Sequence, residues 1–173
     1  MSDLKTKYPS TSSVDVVITL DNEATNAQGV FLAGQASTAV DNTVNLDLDH
    51  LLSGVIVAGS VAPTVSRSIN VYAYAASSTA SGVPTYPDGI TGTDAAKTMT
   101  SANVLLSGLV FIASITIDAT ANRVYTFAPV SIASRFGGVL PKFYGIFVAH
   151  DTAQALGATG HKLSYERVQG QTV

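Results

Sequence analysis

The chain has 173 residues and no cysteine, a size suited to one domain with a core large enough to need no disulfide or metal staple. Charged residues make up only 12% and hydrophobic ones 46%, which excludes intrinsic disorder and coiled coil, both of which depend on charged or strongly polar sequence. Nine Lys/Arg against twelve Asp/Glu give a net charge of −3 and no basic footprint for nucleic acid or anionic lipid.

Residues 1–13 are polar, contain Pro9 and end in a Ser/Thr cluster. They are expected to form a flexible N-terminal arm, with a single β-sandwich domain over 14–173. They lack the apolar stretch of a secretory signal, so synthesis in a cytoplasm is expected. Residues 14–20 alternate, with Val14, Val16, Ile18 and Leu20 on one face of a strand. A short second strand is expected at 30–33. The alternation over 40–49 predicts a strand with Val44, Leu46 and Leu48 inward and Thr43, Asn45, Asp47 and Asp49 outward. Residues 51–58 form a β-branched strand before Gly59 and Pro63, and 67–75 alternate again, with Tyr72 and Tyr74 on one face.

Residues 77–102 form a long polar loop with Pro84, Pro87, Gly89 and Gly92. Inside it, Thr93 is placed to cap a helical turn over 94–99. The run 105–117 is the most hydrophobic and is expected to be a central strand, joined through 118–122 as a hairpin to a strand over 123–130. Ser131 to Phe136, followed by Gly137 and Gly138, reads as a capped helical turn. Strands at 143–149 and 162–168 close the chain, with another brief helical turn at 151–156. The apolar runs at 51–62 and 104–117 are far shorter than the roughly 20 residues of a membrane-spanning helix. About eight antiparallel strands with one or two short helical turns predict an all-β, jelly-roll-like, two-sheet sandwich. Ile69, Val71, Ile115, Ile117 and Phe147 join Val44, Leu46 and Leu48 as expected core.

Motifs for chemistry are sparse. Asn45, Asp47 and Asp49 share a strand face at period two, an oxygen-rich spacing that suits calcium, although the solvent face of a strand looks the same. His50, His150 and His161 stand in no zinc-binding spacing, and the His-x-His pattern of metal-binding jelly rolls is missing. Neither a Gly-x-Ser-x-Gly elbow nor a Walker loop occurs. The expectation is therefore a protein that is not an enzyme and has no cofactor. Tyr72 and Tyr74 are the one tyrosine pair at strand-face spacing, open to a sugar-stacking or a cross-strand packing role.

Residues 128–141 (APVSIASRFGGVLP) join a strand to one helical turn, a Gly-Gly exit and a Pro-started strand, FYGIFV at 143–148. Ala155, Leu156, Gly157, Thr159 and Gly160 follow before the closing strand. This C-terminal third, with SINVYAYA at 68–75, resembles the capsid cement (decoration) proteins of tailed bacteriophages, whose family fold is a jelly-roll-like sandwich. The resemblance implies a virion protein on the capsid exterior, made in the host cytoplasm. It would bridge major capsid protein subunits as a homo-oligomer, a trimer by preference, with no nucleic-acid or membrane partner. A tail or fibre domain binding a host glycan or receptor is the alternative. Tyr8 and Pro9 in the arm and Tyr86 and Asp88 in the long loop are the side chains expected to meet partners.

Overall fold

A computed structural model describes residues 4–9, 13–77 and 82–172. The remaining parts of the expected arm and long loop, at 1–3, 10–12 and 78–81, lie outside the described residues. Strands hold 44% of the chain and helix 9%, in two antiparallel sheets. In chain order the elements are β1 (Leu4–Lys7), β2 (Ser13–Asp15), β3 (Ala33–Ala36), β4 (Val40–Asp41), β5 (Asp49–Val57) and β6 (Ser68–Ala75). These are followed by β7 (Ala95–Thr98), α1 (Ala102–Gly108), β8 (Leu109–Thr116), β9 (Val124–Ser131), α2 (Ile132–Arg135), β10 (Phe143–His150) and β11 (Lys162–Thr172).

One sheet runs β1-β11-β5-β9, with β2 also on β11; the other runs β7-β3-β10-β6-β8, with β4 also on β10. Counting β3 and β4 as one interrupted strand, the chain places β2, β5, β9 and β11 in one sheet and β3/β4, β6, β8 and β10 in the other. That is the eight-stranded jelly roll, with β1 and β7 as additions. The interruption at 37–39 keeps its pairing through a side chain: the Ile146 amide donates to Ser37 Oγ at 2.9 Å.

β6 and β10 are buried along almost their whole length instead of alternating, because their sheet has a core on each face. Between the sheets lie Leu20, Leu52, Ile56, Ile69, Val71, Ile132, Ile146, Val148 and Leu163. On the outer face, Tyr72, Tyr74 and Phe147 are covered by Tyr86, Ile90, Met99, Leu105 and Leu109. Residues 82–108 are thus a lid on their own sheet, and 95–98 is a strand in it, not the helical turn that Thr93 suggested. Asp94, placed to start that helix, instead accepts from the Thr19 amide and hydroxyl and from Gln35 Nε2, which carries the next residues onto β3.

Several other expectations are corrected. The 105–117 run splits into α1 and β8, and β8 is an edge strand, apolar because α1 seals the outer core while Ile112, Ile115 and Ile117 seal the inner one. A bulge opposite Val71 and Tyr72 explains why its two faces look alike in sequence. Residues 117–123 carry the chain from one sheet to the other, so β8 and β9 are not a hairpin. No helical turn forms at 151–156. The second strand begins at Ala33, beyond the 30–33 window for all but its last residue. Leu4–Lys7, expected in a free arm, pairs with 169–172 of β11, past the last β11–β5 pair at Val168 and Asp49. The capped turn at 131–138 forms as expected: Ser131 Oγ accepts from the Ser134 amide, and Gly137 and Gly138 take positive φ.

Candidate functional site

The largest departure from the sequence expectation is at 42–48, a loop between β4 and β5 and not a strand. Asp47, expected in solvent, is 5% exposed, whereas Val44, Leu46 and Leu48 are 83%, 72% and 50% exposed. The reason is electrostatic and comes mainly from partners distant in sequence. Asp47 accepts from Arg167 Nε at 2.8 Å and Nη2 at 3.1 Å, from Gln169 Nε2 at 2.7 Å, and from His50 Nε2 at 2.9 Å. These donors occupy both carboxylate oxygens and so offset the cost of taking the charge out of water.

Backbone bonds hold the same loop. The Asn42 side chain donates to the Asp47 carbonyl at 3.0 Å and accepts from the Asp47 amide at 2.8 Å. The Leu46 amide donates to the Asn42 carbonyl, and the Leu48 amide to the Val168 carbonyl at 2.8 Å. Leu46 is held at φ +50°, a left-handed conformation that costs a Leu about 1–2 kcal/mol. The result is a fixed, convex tip of three aliphatic side chains.

His50 links this loop to the centre of the sandwich. Its ring stacks on Tyr165 with centroids 4.1 Å apart, and Nδ1 lies 2.6 Å from the Tyr144 hydroxyl. With Nε2–H donating to Asp47, Nδ1 accepts the Tyr144 proton, which satisfies all three groups with a neutral imidazole. Burial lowers the His50 pKa, against the pull of Asp47. Burial alone would raise the Asp47 carboxyl, but its bonds to Arg167, His50 and Gln169 hold it below the ordinary carboxylate range. An Asp–His–hydroxyl series has the connectivity of a catalytic relay. Here, however, Tyr144 is fully buried and its pKa is raised by burial, so the hydroxyl meets no substrate. The cluster is a clamp.

The calcium set is not brought together. Asn45 is on the exposed tip, Asp47 is filled by its donors, and Asp49 accepts the amides of His50 and Ala133 at the start of α2. Among the described residues, no group of three His, Asp or Glu could hold a metal ion. Tyr72 and Tyr74 are buried under the lid, with Tyr86 edge-on to Tyr74 at 5.4 Å, so none of the three is a sugar platform or a free contact residue. Asp88 accepts from the Thr100 amide and hydroxyl and pairs with Lys97 at 3.7 Å, staples within the lid. Tyr8 is exposed and Pro9 half-buried beside β1, at the clamp's end of the molecule.

Sequence reading missed Asn42, Asp47 and Arg167 as a unit because the alternation at 43–49 fits a strand better than a loop. The legible signal was Asn42 five residues before Asp47, since such side chains bond nearby backbone and build turns. Elsewhere, a recess of about 350 Å³ at the opposite end of β5 is lined by Asn22, Val61, Asn122, Gln154 and neighbouring backbone. No protein-family model matches the sequence, and no curated protein matches it.

Proposed function

We propose that this chain is a structural virion protein that decorates a phage capsid on its exterior and stabilises it by bridging major capsid protein subunits. It acts without cofactor or catalysis, by adding buried area across subunit boundaries in the assembled state. The observation that carries this reading is the 42–48 loop: a buried carboxylate clamp and a strained Leu hold three aliphatic side chains in water. Preorganised apolar tips of this kind lose little further freedom on docking. A trimer, the favoured assembly, would present three such tips together.

The test is retention on purified particles by sedimentation, alongside melting of each protein alone. Leu46→Asp keeps the melting temperature and loses retention. Deleting residues 1–10 removes the β1 pairing with the end of β11, so it lowers melting slightly and weakens retention. Full retention by both variants rejects this mode of attachment. Binding to a host glycan but to no capsid transfers the molecule to the receptor-binding alternative.

A further inference from the structure

The recess at the end of β5 away from the 42–48 loop holds about 350 Å³, at the small end of the range of ligand clefts. Its floor is backbone and small side chains. Ala58 and Leu156 form an isolated antiparallel bridge, and the Gly157 amide donates to the Val57 carbonyl at 2.9 Å. Gly59 lies so close to the Ala155 carbonyl oxygen that a Cβ there would overlap it. His161 pins the same strip: Nε2–H donates to the Gly157 carbonyl at 2.8 Å, and Nδ1 accepts from the Val57 amide at 3.2 Å.

Two asparagines are tied to this floor in the same way. The Asn22 amide donates to the Gly157 carbonyl and the Asn122 amide to the Gly59 carbonyl, both at 2.9 Å. Both residues sit at left-handed φ, +56° and +55°, which asparagine tolerates better than most side chains. Backbone bonds thus fix each turn and leave the side-chain amides over. Ser60, Gln154 and Thr159 complete a lining of five neutral polar side chains. Among the described residues, none of the five bonds to another protein group through its side chain, and no charged or aromatic side chain lines the recess. The charged neighbours in sequence are Asp21, 4.0 Å from His161 Nε2, and Arg123, which pairs with Asp118.

We infer that this recess binds an uncharged saccharide of about one or two rings. Amides and hydroxyls both donate and accept, as every sugar hydroxyl does, so the two sets of groups match without any charge. Val61, 58% exposed, with Ala155 and Ala158, supplies apolar lining for the C–H faces of a ring. An anion finds no cation in this lining. An extended peptide finds no free strand edge, since β9 and β11 take both edges of β5. The fixed floor and turns leave little to order on binding, while the lack of an aromatic platform keeps affinity modest. Sugar binding here is independent of the decorating role, because the recess lies at the other end of β5 from the apolar tip.

The experiment is an amide NMR titration of wild type with lactose, maltose and N,N′-diacetylchitobiose, each to about 50 mM, with trialanine and inorganic phosphate as comparators. At least one disaccharide is expected to shift the amides of Asn22, Gly59, Asn122 and 154–159 saturably, with a Kd of about 1–10 mM. An N22G/N122G/Q154A variant keeps both turns, because glycine takes positive φ freely, and is expected to bind at least about tenfold more weakly. Gln154→Ala alone touches neither turn and is expected to weaken binding about threefold, which keeps the test open should the triple variant melt early. Three results overturn the inference: no saturable shift with any of the three sugars, shifts that both variants keep in full, or equal shifts at these amides from trialanine or phosphate. The triple variant is expected to keep its retention on purified particles. Loss of that retention makes the recess a capsid contact and overturns the inference as well. Sugar binding by a protein that no particle retains leaves it standing and overturns the decorating reading.

Discussion

Leu46 sits where a strand-based reading expects core and where the folded chain has solvent. Because its side chain touches little, Leu46→Ala is expected to change stability by less than about 0.5 kcal/mol. Leu46→Asn, which tolerates positive φ better, should raise the melting temperature slightly. A loss of several degrees in either variant would put Leu46 back in a core. Asp47 is the opposite case. Asp47→Ala leaves Arg167 and His50 without their acceptor and should cost about 3 kcal/mol in urea unfolding. Its carboxylate is already filled, so EDTA should leave melting unchanged, and a clear drop would restore calcium to this loop.

Among elements, those that formed as read are the ones whose local pattern and tertiary place agree. β5, β6, β10, β11 and the 131–138 turn are of this kind. The 93–99 segment shows local preference losing: Thr93 and Asp94 suit a helix start, but pairing with β3 and burial of Met99 together outweigh one capped turn. Removing the lid's anchor tests this balance, and Tyr86→Ala should cost about 3 kcal/mol while leaving the inner core assembled. The β3–β10 contact is close enough that a Cβ on Gly34 would overlap the Val148 carbonyl oxygen. Since that atom is backbone, Gly34→Ala should destabilise by about 2 kcal/mol or more. A neutral result would mean that β3 can move off β10.

For the whole molecule, stability should depend on pH through buried imidazoles. His150 is fully buried, with Nε2 3.1 Å from the Glu23 carbonyl, and burial lowers its pKa to about 4. The unfolded chain therefore takes up this proton first as pH falls below about 6.5. Stability is complete above that value and is lost progressively toward pH 4, by on the order of 3 kcal/mol. His50 is shifted in the same direction and steepens the loss. Asp47, held below its ordinary range, adds a further loss only in stronger acid. Urea midpoints at pH 7.5, 5.5 and 4.5 measure the slope, and His150→Gln should flatten it. A midpoint constant across that range would show that His150 is not buried neutral.

Read alone, the sequence determined the all-β class, the two-sheet sandwich, the jelly-roll expectation and five of the eight expected core side chains, Ile69, Val71, Ile115, Ile117 and Phe147. Those features follow from period-two burial and turn residues, which are local and repeat along the chain. Tertiary structure alone decided which face of 42–48 is buried, that 82–108 is a lid, and that Leu4–Lys7 is a strand. Each depends on a partner distant in sequence: Arg167 for Asp47, Thr19 for Asp94, and β11 for Leu4–Lys7. An alternation of Leu and Asp has two faces, and only the position of a guanidinium 120 residues away selects the one that turns inward.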